Sequence, residues 1–519
     1  MAPDDQAAVI EFLASPTTHD GARVERIDTH AAIVFLAGAR AYKLKRAVRF
    51  DYLDFSTADL RRVSCEAEVR LNRRTAPDMY LGVLAVTRES DGTLALGGTG
   101  MPVDWVVEMV RFDQSALFDR LAEAGRLDVA LMVPLADAIA AFHAAAAPRP
   151  DHGGKAGMAW VIEGNASGVD EHGAEFVDHR LSRAVADNAR AELERHGALL
   201  DRRRDTGYVR QCHGDLHLRN IALIDGRPTL FDGIEFNDEI ACTDVLYDVA
   251  FLLMDLWRRR LPGHANAVWN RYLAETEHVD GLRLLPLFLS CRAAVRAKTS
   301  LTAAHFQADD RQRRSLQALA QRYLSMADAF LRPPGPALVA IGGLSGTGKS
   351  TIARQLAPLF GAAPGAVVFR SDEIRKRLCG VPLLERLGPD GYTSEVTERV
   401  YSTLAGSAGA TIAEGCSVVA DAVYAKPEDR RAIERVAVDA SIPFVGVWLE
   451  APEAQLVDRT MQRRNDASDA DADVVHRQHQ QHTGPITWHR IDASAPAERV
   501  LQAVTDVVRK LVPMSSPPP

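Results

Sequence analysis

Eight consecutive residues, Gly343-Leu344-Ser345-Gly346-Thr347-Gly348-Lys349-Ser350, satisfy the pattern GxxxxGK[ST]. They follow an apolar run, Ala337 to Ile341, and precede a helical stretch, Thr351 to Leu359. A strand that enters a glycine-rich turn and leaves as a helix is the repeating unit of parallel α/β sheets. Helical and apolar extended stretches go on alternating through Val418 and Val419 to Val512, so residues 337–514 are expected to form a parallel sheet flanked by helices.

Glycines let the backbone curl with its N–H groups inward, and the following helix N-terminus adds positive potential. Together they favour a triphosphate. The expected ATP cradle is therefore Gly343, Ser345, Gly346, Thr347, Gly348, Lys349, Ser350 and Thr351. Lys349 is placed to reach the β- and γ-phosphates and Ser350 to meet Mg²⁺. Val418-Val419-Ala420-Asp421 puts a carboxylate at the end of a second apolar strand, where Asp421 suits a water-mediated Mg²⁺ contact or a simple turn.

Ser371-Asp372-Glu373-Ile374-Arg375 follows the extended run Val367 to Phe369 and reads as a first helical turn, with Asp372 and Arg375 on one face. With these residues the C-terminal part resembles the small P-loop kinases that include polynucleotide kinase, gluconate kinase and zeta-toxin-like enzymes. The resemblance implies that Asp372 acts on an acceptor hydroxyl and that Arg375 binds the acceptor. It also implies a lid carrying Arg459, Arg463 and Arg464 over the transferred phosphoryl group; a solvated arginine-rich helix is the plain alternative.

A second cluster lies upstream. His213-Gly214-Asp215-Leu216-His217-Leu218-Arg219-Asn220 is followed by Leu230-Phe231-Asp232-Gly233. One carboxylate, Asp215, is spaced to orient a hydroxyl, while Asn220 and Asp232 are spaced to hold Mg²⁺. This order resembles the catalytic loop of aminoglycoside phosphotransferases and choline-kinase-like enzymes, distant relatives of protein kinases. The resemblance implies a bilobal fold with an ATP-pairing lysine on a strand. Lys43 is the candidate, and Lys45 points the same way. Glu66 and Glu68 compete as its partner, with Glu68 preferred, and Met109 is the expected hinge whose backbone meets adenine. Asp244 and Asp248 are expected to pin the loop, and His217 to be structural. No GxGxxG precedes Lys43, so a glycine-rich phosphate clamp is not expected.

At 519 residues the chain exceeds what one core organises. Arg332-Pro333-Pro334-Gly335-Pro336 cannot continue a helix, because prolines lack N–H donors and restrict the preceding residue. The expected division is a kinase-like domain at 1–332 (small lobe about 1–112, helical lobe about 113–332), a linker at 333–336, the P-loop domain at 337–514 and a frayed tail at 515–519. The small lobe should contain two strands around Gly38-Ala39-Arg40 and a helix from about Thr57 to Arg74. Six scattered cysteines read as reduced thiols, without zinc spacing.

A formal charge of −8 argues against nucleic acid as partner. No segment approaches about 18 uninterrupted apolar residues, so neither a membrane span nor a secretory leader is expected and the cytoplasm is the expected location. The expectation is a phosphotransferase with two ATP and Mg²⁺ sites, acting on a hydroxyl of a small polar acceptor such as a sugar or aminocyclitol. Two alternatives stand beside it: a P-loop kinase governed by a catalytically silent kinase-like sensor domain, and a kinase of nucleic-acid 5′-hydroxyl ends.

Overall fold

The computed structural model describes residues 5–50, 52–173, 176–462 and 466–515. It divides into two compact units, one of residues 1–161 with 193–255 and the other of 162–192 with 256–519.

The first unit opens with a six-stranded antiparallel sheet in the order Val24–Asp28, Ala32–Ala37, Arg40–Lys45, Met101–Val110, Tyr80–Arg88, Leu94–Leu96. The expected hairpin turns at Gly38, whose φ of 55° lies in the left-handed region that glycine enters without strain. Alternation along Arg40–Lys45 sends Tyr42 and Leu44 to one face, against Leu13, Phe35 and Val106. Lys43 and Lys45 take the other face. There the helix Ala58–Asn72 lies, packing Cys65 and Val69 on Tyr80 and Val107. The Thr57 hydroxyl caps it by accepting from the Leu60 N–H at 3.4 Å, and Asp59 sits in the first turn, where the helix dipole favours a negative charge.

Further along this unit, Val209–Gln211 pairs with Cys242–Asp244, and Ile221–Ile224 pairs with Arg227–Leu230 across an Asp225-Gly226 turn in which both residues have positive φ. Residues 213–217 run between these two ladders.

The second unit contains a five-stranded, wholly parallel sheet in the order Val367–Arg370, Val418–Asp421, Leu338–Gly343, Phe444–Glu450, His489–Asp492. The central strand is buried along its whole length, as strands covered on both faces are. Val339 and Ile341 pack with Ile352, Leu356 and Val504 on one face, and Leu338 and Ala340 with Leu404 and Trp448 on the other. Each such branched side chain contributes about 1.5–3 kcal/mol by leaving water. The helices Leu285–His305 and Asp310–Phe330 pack on each other in the same unit.

By compactness, residues 162–192 and 256–519 form one unit, a grouping that does not coincide with the segment 333–336. The reason is that helix Pro262–Thr276 hydrogen-bonds to the segment around Val367–Arg370, which ties helices upstream of the prolines to the sheet downstream. Ser515, expected in a frayed tail, instead donates its N–H to the Leu359 carbonyl and its hydroxyl to the Gly361 carbonyl, both at 2.9 Å, beside a Phe360–Met514 bridge.

Candidate active sites

The first site grows from strand alternation. Lys43 Nζ, facing helix Ala58–Asn72, donates to Glu68 Oε1 at 2.8 Å and to Asp232 Oδ1 at 2.5 Å. Lys45, one pleat on, donates to Glu68 Oε2 at 2.6 Å and to Glu235. Glu66 is exposed, so of the two competing glutamates it is Glu68 that meets the lysines. Burial alone would raise the Glu68 carboxyl, but two ammonium groups at contact distance outweigh it and hold it at about 2. Burial opposes the Lys43 charge as well, yet Asp232, Glu68 and Glu235 together hold its ammonium well above the ordinary lysine range.

The catalytic-loop candidates converge on the same place. Asn220 Nδ2 donates to Asp215 Oδ2 at 3.0 Å and to the Asp215 carbonyl at 2.9 Å, and His217 Nε2 lies 3.3 Å from the same carboxylate. Asp232 takes a left-handed φ of 61°; its N–H donates to the Tyr80 hydroxyl, and Gly233 N–H donates to Asn72 Oδ1 at 2.7 Å. The Glu68 side chain is 0% exposed and Lys45 2%, whereas Asp215 is 35% and Asp232 43%, so of these charged groups the two aspartates are most open to a substrate. Asn220 and Asp232 offer an amide oxygen and a carboxylate, a hard-oxygen set of the kind Mg²⁺ takes.

Behind the loop, Asp248 accepts from the N–H groups of His213 at 3.2 Å and Gly214 at 2.8 Å, and meets His143 Nε2 at 3.1 Å. Asp248 thus pins the loop, as expected, while Asp244 is locked to the buried Arg203 at 2.7 Å. His213 Nε2 meets the Phe231 carbonyl at 2.9 Å, and burial pushes its pKa below the ordinary value. Met109 is the penultimate residue of its strand, opposite Ala41 and Tyr80. Sequence reasoning missed Glu235, Tyr80 and Asn72; the second acidic residue in Asp232-Gly233-Ile234-Glu235 was the available signal.

The second site lies at the C-terminal ends of the parallel strands, where ligands of open α/β sheets bind. Gly346 has φ 87°, and a Cβ there would stand 2.5 Å from the Leu456 carbonyl oxygen, so no larger residue fits without a shift. Gly348 caps the helix Lys349–Leu356, Thr347 donates to the Leu344 carbonyl at 2.8 Å, and Lys349 Nζ donates to that same oxygen at 3.0 Å. Ser350 is half-buried and Thr351 exposed in the first turn. The Ser345 N–H points at Gln478 Oε1, 2.8 Å away, on helix Ala472–Gln480, a residue that nothing in the sequence marked.

Register places Asp421 beside Ile341 on one side and Arg370 on the other. The Arg370 guanidinium collects Asp421 at 3.4 Å, Glu373 at 2.7 Å and Asp466 at 2.9 Å. Asp421 and Ser350 again supply oxygen donors suited to Mg²⁺. Asp372 is half-buried in its helix start, and its charge acts on Arg370, Tyr392 and Tyr401. Arg375 is turned into its own scaffold: it donates to the Gly391 carbonyl at 2.8 Å and the Thr397 hydroxyl at 3.2 Å and lies over the Tyr392 ring. Arg459 donates to the Ala493 carbonyl at 2.8 Å. Arg463 and Arg464 lie outside the described residues.

Comparison with known proteins finds two domains in the chain. Residues 93–285 match the family model described as "Phosphotransferase enzyme family", and residues 338–485 match the model described as "AAA domain". Among solved structures, a choline/ethanolamine kinase family protein from Mesorhizobium loti is similar at 14% identity and a TM-score of 0.39, over 62% of this chain and 93% of that one. An adenylyl-sulfate kinase of Myxococcus xanthus is 31% identical over 118 residues, 22% of this chain and 59% of that one. The uncharacterized protein Rv2004c of Mycobacterium tuberculosis is 30% identical over 496 residues, 94% of this chain and 95% of that protein. At that identity over nearly the whole of both chains, this chain belongs to the family of Rv2004c, and it joins an aminoglycoside-phosphotransferase-like domain to a P-loop kinase-type domain.

Proposed function

We propose that the chain is a phosphotransferase with two Mg²⁺-ATP sites, each passing a γ-phosphoryl group to a hydroxyl of a small polar acceptor such as a sugar or aminocyclitol. The observation that carries this reading is the meeting of Lys43, Glu68 and Asp232 from three separate elements in the unit that also holds the Asp215–Asn220 pair.

In the kinase-like site, Glu68 holds Lys43 in place to pair with the nucleotide phosphates, and the Met109 backbone meets the adenine edge. Asp215 orients the acceptor hydroxyl and takes its proton as the oxygen bonds to the γ-phosphorus and the bond to ADP breaks. Asn220 and Asp232 would hold the metal, which neutralises charge on the phosphates when bound. In the P-loop site the backbone of residues 343–348 cradles the phosphates with Lys349, and Ser350 and Asp421 would hold the metal. Asp372 serves the acceptor hydroxyl there. The lid reading of Arg459, Arg463 and Arg464, and the acceptor role of Arg375, belong to the same proposal. So does a functional division of the chain into 1–332 and 337–514.

The sensor reading keeps one observation in its favour: the turn between the first two strands, residues 29–31, contains no glycine, so a glycine-loop clamp over the phosphates is lacking. ADP release by the full chain, Asp215→Ala and Lys349→Ala decides between them across a panel of sugars, aminocyclitols and 5′-hydroxyl oligonucleotides. Loss of part of the acceptor-dependent turnover in each variant supports two active sites. Loss only in Lys349→Ala selects the sensor reading, and no loss in either rejects both.

A further inference from the structure

Strand Val367–Arg370 is an edge of the parallel sheet, paired on one side only, with Val418–Asp421. The free side of such a strand presents unpaired N–H and C=O groups. Here two asparagines of helix Pro262–Thr276 take them. Asn270 Oδ1 accepts from Val368 N–H at 2.7 Å, and its Nδ2 donates to the Ala366 carbonyl at 3.2 Å. Asn266 Nδ2 donates to the carbonyls of Ala366 at 3.0 Å and Pro364 at 3.1 Å. One turn apart on the helix, the two amides are also bonded to each other at 3.0 Å.

An amide carries a donor and an acceptor at the spacing of a peptide group, so this helix face does for the edge what a sixth strand would do. Asparagine is a poor helix former, and Asn266 is only 3% exposed, a place that polar side chains occupy when they are hydrogen-bonded. Gly365 permits the approach: a Cβ there would come within 2.9 Å of Asn266 Nδ2. Charged contacts flank the seam, Arg283 with Glu414 at 2.7 Å and Arg377 with Glu277 at 3.1 Å. The helix lies in the stretch matched to the phosphotransferase family, and the strand in the stretch matched to the AAA domain.

The pinned residue stands two positions before Arg370, which gathers Asp421, Glu373 and Asp466, and four before Asp372. We infer that Asn270, seconded by Asn266, is a positioning residue for the P-loop site. By holding the edge strand it sets Arg370 and Asp372 toward the phosphate loop, so chemistry at that site depends on a helix upstream of the proline-rich segment. This rests on the reading of the P-loop site given above.

The test uses the full-length chain with Asp215→Ala, which silences the kinase-like site, in the parent and with Asn270→Leu or Asn270→Asp. Leucine fills the space without hydrogen bonds, while aspartate keeps the acceptor for Val368 N–H. Asn270→Leu should lower kcat of the remaining turnover about tenfold or more, with KM for ATP within about twofold, the pattern of a misplaced group and not of lost binding. Asn270→Asp should recover most of kcat. Amide hydrogen exchange in residues 366–378 should rise in Asn270→Leu, while residues 343–356 stay as in the parent. Unchanged exchange in 366–378, or an unchanged kcat, overturns the inference. A parent without turnover would sink the P-loop reading itself, and the exchange result then decides the positioning on its own.

Discussion

Gln478 and Ser345 are joined by a hydrogen bond of 2.8 Å in which the side-chain amide oxygen accepts the backbone N–H of the phosphate loop. An N–H in a glycine-rich nest is where a phosphate oxygen would be expected to bind. Gln478 therefore competes with nucleotide for one donor of the site. Removing it, as in Gln478→Ala, should tighten binding of a non-hydrolysable ATP analogue by about two- to tenfold, the worth of one net hydrogen bond of about 0.5–1.5 kcal/mol. Calorimetric titration of Asp232→Ala, which takes a metal-holding carboxylate from the kinase-like site, and of Asp232→Ala with Gln478→Ala measures it, and weaker binding in the double variant would show that Gln478 serves the nucleotide instead.

The glutamate between two lysines makes stability depend on acid. Glu68 is held at about 2 against an ordinary value of 4.5, so the unfolded chain binds the proton more readily and stability falls as pH drops. This contribution is complete above about pH 4.5 and is lost toward about pH 2. Glu68→Gln should start from a lower urea midpoint at neutral pH, because Lys43 and Lys45 lose their shared anion. Its midpoint should then decline less than the parent's between about pH 4.5 and 3. Parallel declines in the two proteins would contradict the assignment.

Asp248 ties residues 213 and 214 of the loop to the buried side chain behind them. With Asp248→Ala, the buried N–H groups of His213 and Gly214 lose their acceptor, at a cost of about 1–3 kcal/mol in folding. Turnover at the kinase-like site, measured in a Lys349→Ala background, should fall about tenfold or more, since Asp215 follows Gly214 directly. The P-loop site, measured with Asp215→Ala, should keep its rate.

Gly346→Ala tests the phosphate loop without touching a charge. The new methyl group would meet the Leu456 carbonyl at 2.5 Å in a left-handed backbone conformation. A loss of about 1–3 kcal/mol in stability, together with loss of nucleotide binding at this site, is expected. Unfolding by urea and nucleotide titration in an Asp232→Ala background check the two effects separately.

Local patterns had already exposed much of this. The helix expected from Thr57 to Arg74 is Ala58–Asn72, because a capping threonine and a helical run of apolar residues are written in adjacent positions. The phosphate loop, its strand and its helix were legible for the same reason, and so was the grouping of Asp215, Asn220 and Asp232. Lys43 and Lys45 were assigned to one face by alternation alone. Glu68 was preferred to Glu66 on the sequence, and packing turns Glu68 inward while Glu66 stays exposed.

What the order of residues determined by itself is the local chemistry: two nucleotide-type motifs, the elements that carry them and the period of each buried face. Those properties depend on neighbours within a few residues. What only the tertiary structure decided is which distant groups share one space. Arg375, three residues from Asp372, turns into Gly391 and Thr397; Gln478 reaches Ser345; and Asn270 spans the proline-rich segment to hold Val368. Such partners lie from 16 to 133 positions apart, and a hydrogen bond between them leaves no periodic mark in the sequence, because its geometry exists only after the sheet and its covering helices have packed.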